Sequence, residues 1–193
     1  MIEVVWSFWS RNIRRNIYRI VATTHPYLSG IMAILIAYDY FEFGLRIKLF
    51  PAGGVFVSYD TVVFGFTATA IALAIAIPSP TFIKFLSSMK DKTTPFRDFL
   101  FILSWNGFVH ISAFFISIPI IILGYDWELS ADSSRFMKLY VFIFLWLQFY
   151  AAFQFMVTTL AVYELGDLYA KYVAKEKRDE EANTKKAPPS AEN

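Results

Sequence analysis

The chain has 193 residues, 56% of them hydrophobic and only 18% charged, more apolar surface than a soluble domain of this length needs or could hide. A net charge of +2, with no basic stripe interleaved with aromatics, excludes nucleic acid as a partner. With no cysteine, disulfides and thiolate metal or redox sites are excluded too. The apolar residues come in blocks about as long as a bilayer is thick, separated by short charged stretches. They predict an all-α integral membrane protein: a four-transmembrane-helix bundle, preceded by an amphipathic interfacial helix and ending in a disordered C-terminal tail.

Residues 1–22 read as the interfacial helix. Ile2, Val5, Trp6, Trp9, Ile13, Ile17 and Ile20 recur at three- and four-residue steps and share one face. Arg11, Arg14, Arg15 and Arg19 fall largely opposite. Tryptophans on the apolar side and arginines on the other suit the boundary between lipid tails and anionic headgroups. A soluble helix packed on the chain's own cytoplasmic loops is the alternative. This segment lacks the basic start, apolar run and cleavage site of a signal peptide, so the first membrane helix is expected to act as the insertion signal.

Residues 23–163 form the predicted bundle. The first span, about 23–43, is the weakest, because Asp39 and Glu42 lie near its far end and Pro26 near its entry. The second, 55–77, stops at Pro78-Ser79-Pro80. Thr94 followed by Pro95 reads as an N-cap and first helical position, leading into the third span, 99–123, whose last turn Pro119 should bend. The fourth, 137–162, is expected to continue as a cytoplasmic helical extension over 164–178. The charged and Pro-Ala-Ser-rich stretch 179–193 then reads as the disordered tail.

Lysine and arginine placement sets the orientation. The N-terminal arginines, the loop holding Lys84, Lys90, Lys92 and Arg97, and six basic residues of the tail would share the cytoplasmic side. Only Arg46, Lys48, Arg135 and Lys138 remain for the other side. That alternation fits four spans with both termini cytoplasmic. Short outer loops without cysteine, and the lack of any N-x-Ser/Thr glycosylation acceptor, favour a bacterial inner membrane.

Four groups of residues are candidates for function. In the second span Gly65, Ala68, Ala72 and Ala76, with Thr69 among them, form a small-residue face for close helix packing, within the chain or between copies. At mid-depth, His110 with Asn106, Ser104 and Ser112 faces a fourth span carrying Gln148 and Gln154. Such groups fit either an interhelical hydrogen-bond contact or a wet path through which His110 passes protons. Asp39, Glu42 and Asp60 read as an outer acidic belt, either ordinary interfacial charge or a mouth that concentrates cations. Phe82, Phe85, Leu86 and Met89, with Lys84 and Lys90 off their stripe, suggest a second interfacial helix. With Trp6, Trp9 and the N-terminal arginines it would make a basic collar that binds anionic lipid or docks a partner.

Enzyme signatures are lacking. The sequence holds no H-E-x-x-H, nucleophile elbow, phosphate loop or dinucleotide glycine motif, and its two histidines, His25 and His110, cannot form a metal site alone. Neither catalysis nor a cofactor is expected. The chain reads first as an accessory, scaffold or immunity-type protein that binds a membrane or cytoplasmic partner. The alternative is a homo-oligomeric channel with an acidic outer mouth. A proton-coupled transporter ranks third, because no carboxylate is placed clearly at the midplane.

Overall fold

The structure, a computed structural model, describes residues 23–42, 47–76, 79–88, 95–123, 128–129 and 133–186. The N-terminal segment 1–22, with Trp6, Trp9, Arg11, Arg14, Arg15 and Arg19, lies outside the described residues. The described chain is helical: α1 His25–Glu42, α2 Leu49–Ala76, α3 Pro80–Ser88, α4 Pro95–Leu123 and α5 Arg135–Lys186. Two-residue strands β1 (Ile47–Lys48) and β2 (Glu128–Leu129) pair antiparallel, Ile47 opposite Leu129 and Lys48 opposite Glu128. They tie the α1–α2 connection to the α4–α5 connection at one end of the molecule.

Three helices, α2, α4 and α5, are long and apolar enough to cross a bilayer. The 18 residues of α1 reach only about 27 Å at ~1.5 Å per residue, against about 30 Å of hydrocarbon. The chain is therefore a helical membrane protein with three clear candidate spans and a shorter apolar fourth helix.

Two helices start where a serine supplies a partner for a free N–H group of the first turn. Ser79 Oγ accepts from the Phe82 N–H at 3.1 Å, with Pro80 at the first helical position of α3. Ser134 Oγ likewise accepts from Met137 N–H at 3.2 Å to open α5. Helix α4 opens on Pro95, with Asp98 in its first turn against the positive end of the dipole.

The start of α2 departs from the sequence-based expectation. The second span is expected from 55, yet the helix begins at Leu49 and runs through Pro51-Ala52-Gly53-Gly54. Proline is tolerated in a first turn because its missing N–H would have had no intrahelical acceptor there. Gly53 is required by packing: a Cβ on it would lie 2.7 Å from Ile120 Cγ2, so only a bare backbone lets α2 approach α4 this closely.

A three-four repeat builds the core. Leu49, Gly53, Asp60, Val63, Thr67 and Ala74 are buried along α2, with half-buried Phe56 and Ala70 filling the two gaps. On α4 the same repeat runs Phe99, Leu103, Asn106, His110, Ala113, Ser117 and Ile120, all buried. Val141, Phe144, Gln148, Ala151 and Thr158 continue it on α5. Repeats of this kind interlock long helices at shallow crossing angles. Helix α4 lies between α2 and α5, while α1 packs on the flank of α5. There Trp146 donates its indole N–H to the Pro26 carbonyl at 2.9 Å, and His25 stacks on Phe153.

Apolar layers close both ends of this core. Leu49, Ile120, Val141 and Phe144 form one, and Ala74, Phe99 and Leu103, with Ala161 and Leu165 beside them, form the other. Hydroxyls in the spans donate to carbonyls one turn back, as in Ser58 to Gly54, Thr69 to Gly65, Ser112 to Phe108 and Thr159 to Phe155. That satisfies them where lipid offers no partner. Pro119 cannot donate to the carbonyl one turn earlier, and the Tyr140 hydroxyl reaches the neighbouring Ile116 carbonyl at 2.5 Å.

Beyond the apolar stretch α5 continues without a break to Lys186, past Asp179 where the sequence suggests the disordered tail begins. Mixed acidic and basic residues with few helix breakers sustain it. Asp167 hydrogen-bonds Lys171 at 2.5 Å, and this bond together with the carboxylate charge holds the exposed ammonium above its usual range. Being exposed, the pair adds little stability. What it adds is present below the ordinary lysine range and fades as pH rises through the raised value. Helix α3 folds back on this arm. Phe82 and Phe85 pack against Tyr169 and Tyr172, and the Tyr172 hydroxyl donates to Thr81 Oγ1 at 2.8 Å.

Candidate functional site

The early start of α2 sets the depth of Asp60. Counted from Leu49, Asp60 lies about 4 Å from the middle of its helix, at ~1.5 Å per residue. His110 falls closer still to the middle of α4. The antiparallel packing of α2 and α4 then brings the two side chains together.

His110 Nδ1 lies 2.7 Å from Asp60 Oδ1, with both side chains fully enclosed. From α5, Gln148 Nε2 donates to Asp60 Oδ2 at 3.1 Å and to Ser117 Oγ at 3.0 Å. Ser117 passes its own proton back to the Ala113 carbonyl at 2.8 Å. One carboxyl group is thus hydrogen-bonded to two other helices and joins α2, α4 and α5 at a single point. A second bond lies one turn further along, where Asn106 Nδ2 donates to Thr67 Oγ1 at 2.7 Å while Thr67 donates to the Val63 carbonyl. A third links α4 to α5, from the Trp105 indole N–H to the Tyr150 hydroxyl at 2.8 Å.

Electrostatics explain why Asp60 needs these partners. An unpaired carboxylate at mid-bilayer is costly. Asp60 is the one charged residue of α2. In α4 the others are Arg97 and Asp98 in the first turn, and α5 has none between Lys138 and Glu164. His110 is therefore the ionisable partner that these helices offer at this depth. Rings enclose it: Tyr59 packs edge-on at 5.6 Å between centroids and Phe155 at 6.5 Å. Three atoms of the centre, His110 Nε2, Gln148 Oε1 and Asn106 Oδ1, are buried without a hydrogen-bond partner among the described residues.

The structure groups the sequence candidates differently from the sequence reading. His110 and Gln148 meet through Asp60, which the sequence set with Asp39 and Glu42 in an outer acidic mouth. Asp39 and Glu42 fall in the last turn of α1, and Asp60 is turned inward, 1% exposed. Asn106 pairs with Thr67. Gln154 lies apart from the centre, on a cavity of about 280 Å³ that is also lined by His25, Asp98, Trp105 and Tyr150. Gly65, Ala68, Ala72 and Ala76 are all exposed, turned away from the other described helices. Asp60, Ser117 and Thr67 were missed as members of the centre. The signal that finds them is the three-four repeat of α2, once it is carried back through Pro51 and Gly53 to Leu49.

Among the described residues no cluster of three or more His, Asp or Glu side chains is placed to hold a metal. No protein-family model, curated protein or solved structure matches the chain. Fold and site together define a helical membrane protein whose spans are joined by a buried Asp-His-Gln centre.

Proposed function

We propose that the chain is a four-span membrane protein with both termini in the cytoplasm, serving as an accessory or scaffold component of a larger membrane assembly. In this reading α1 completes a span with the residues before it, and the N-terminal tryptophans and arginines lie on anionic headgroups. The charge bias of the loops supports that orientation, and a bacterial inner membrane is the setting it fits.

The observation that carries the reading is the arm of α5. From Tyr163 to Lys186 it runs about 35 Å beyond the apolar stretch at ~1.5 Å per residue, and α3 braces its base through Phe82, Phe85, Tyr169 and Tyr172. Membrane anchoring alone does not call for a helix of this length. A braced helical arm with exposed charges of both signs offers a docking surface for a partner protein. The chain itself carries no chemistry in this proposal.

The test is affinity purification from native membranes of the full chain and of a chain ending at Ala174, which keeps the aromatic brace. A partner retained by the first and lost by the second, with the bundle folded in both, supports the reading. Identical partner sets contradict it. Single cysteines introduced at Ser133 and Ser190 report the topology, because the chain has none of its own. Labelling from opposite sides of the membrane is expected.

A second reading, the homo-oligomeric channel, is favoured by one observation: the face of Gly65, Ala68, Ala72 and Ala76 is free of the chain's other described helices and open to a second copy. Ala72→Leu should then dissociate oligomers in bilayers. An unchanged mass distribution counts against it.

A further inference from the structure

The Asp60–His110 pair has a proton inventory that its geometry restricts. With Asp60 Oδ2 accepting from Gln148 and the shared proton confined to the line between Oδ1 and Nδ1, two arrangements are electrically neutral. Either Asp60 is ionised beside a doubly protonated His110, or Asp60 is protonated and donates to the bare Nδ1 of a neutral ring. In both, the hydrogen on Nε2 is present. Removing it leaves ionised Asp60 accepting from Nδ1–H of a neutral ring, with net charge of minus one. Whichever way the shared proton sits between Asp60 and Nδ1, the proton that decides the charge of the centre is the one on Nε2.

Nε2 is the atom that the fold leaves without a hydrogen-bond partner among the described residues, within a side chain that is 0% exposed. The other titratable group packed on the ring is Tyr59 of α2. Helix α5 faces the ring with Phe155 and reaches the pair with Gln148, neither of which titrates. In α4 the remaining charged residues, Arg97 and Asp98, lie about 18 Å or more along the helix at ~1.5 Å per residue.

We propose that Asp60 and His110 form a proton-binding site at mid-depth in the bundle, with Nε2 of His110 as the atom where the proton enters and leaves. Loading adds one proton to ionised Asp60 and neutral His110 and gives a neutral pair. Unloading reverses this and leaves a single negative charge among α2, α4 and α5, held by Gln148 Nε2 and Nδ1–H. The ligand is the proton itself, and the site is independent of the arm on which partner docking rests.

With only two histidines in the chain, His25→Gln isolates His110 for nitrogen NMR of imidazole-labelled protein in lipid bilayers. Taking the bilayers from acid to alkaline pH should convert the Nε2 signal from its protonated to its unprotonated position. In His25→Gln with Asp60→Asn the charge-compensated pair is gone, and that pH response should be lost. Asp60→Glu keeps a carboxylate and should restore it, which separates loss of the site from loss of the fold. An Nε2 signal unchanged across the range in the Asp60 protein would overturn the proposal and leave a permanently closed structural contact. So would a response that survives unaltered in Asp60→Asn.

Discussion

Gly53 and Ile120 pack so closely that one added carbon would stand 2.7 Å from the Ile120 Cγ2 methyl. Ile120 is fully buried and branched at Cβ, so it has little freedom to move aside. The contact holds the first turn of α2 against the last turn of α4. Gly53→Ala is expected to destabilise the bundle by about 1–3 kcal/mol through overpacking. Gly54→Ala, where nothing lies within 4 Å of the added carbon, should be close to neutral. Unfolding equilibria of the two variants in bicelles check this, and equal effects would contradict the close approach.

The bond from Asn106 to Thr67 should be uneven in its response to substitution. Thr67→Val keeps the shape but leaves the buried Asn106 amide without its acceptor. A loss of about 1 kcal/mol is expected, within the range for an orphaned buried group. Replacing both, Thr67→Val with Asn106→Leu, should recover part of that loss because no unpaired donor remains. A double variant as unstable as the sum of the two singles would argue against a direct bond.

The brace between α3 and α5 can be read by chemical labelling, since the chain has no native thiol. Leu86 is 1% exposed, on the face of α3 that is turned inward. A cysteine placed there should react slowly while Tyr172 is intact. Tyr172→Ala removes the ring packed on Phe82 and Phe85 and the bond to Thr81. Labelling is expected to rise roughly tenfold, matching the loss of about 1.4 kcal/mol of local stability. No change in rate would show that α3 does not depend on the arm for its position.

Much of the helical plan was legible because apolar run length and helix-end signals are local properties. Pro95 opens α4, Pro78 to Pro80 separate α2 from α3, and the Lys- and Glu-rich stretch after Val162 continues α5. The start of α2 was not legible, because the need for a bare backbone at Gly53 comes from a neighbouring helix that the local sequence does not show. That one misplacement moved Asp60 toward the outer end of its span and hid its bond to His110. The depth of His110 and Gln148 could be read from their spans. Their common partner could not, because it depends on the register of α2 against α4. The burial direction of the small residues of α2 was equally hidden, since Gly65 and Ala72 pattern as well for lipid or a second copy as for an internal contact.

The most direct test of the account is a double-mutant cycle on Asp60 and His110, measured as unfolding free energy in a lipid bilayer. Asp60→Ala, His110→Ala and the double variant give the coupling between the two side chains. Interhelical polar pairs average about 0.6 kcal/mol and reach about 1.7 kcal/mol. A bond of 2.7 Å between two enclosed ionisable groups is expected near or above the upper figure, with the double variant far more stable than the summed losses imply. Strictly additive losses would mean that Asp60 and His110 do not meet in the membrane, and the polar centre would fall with them.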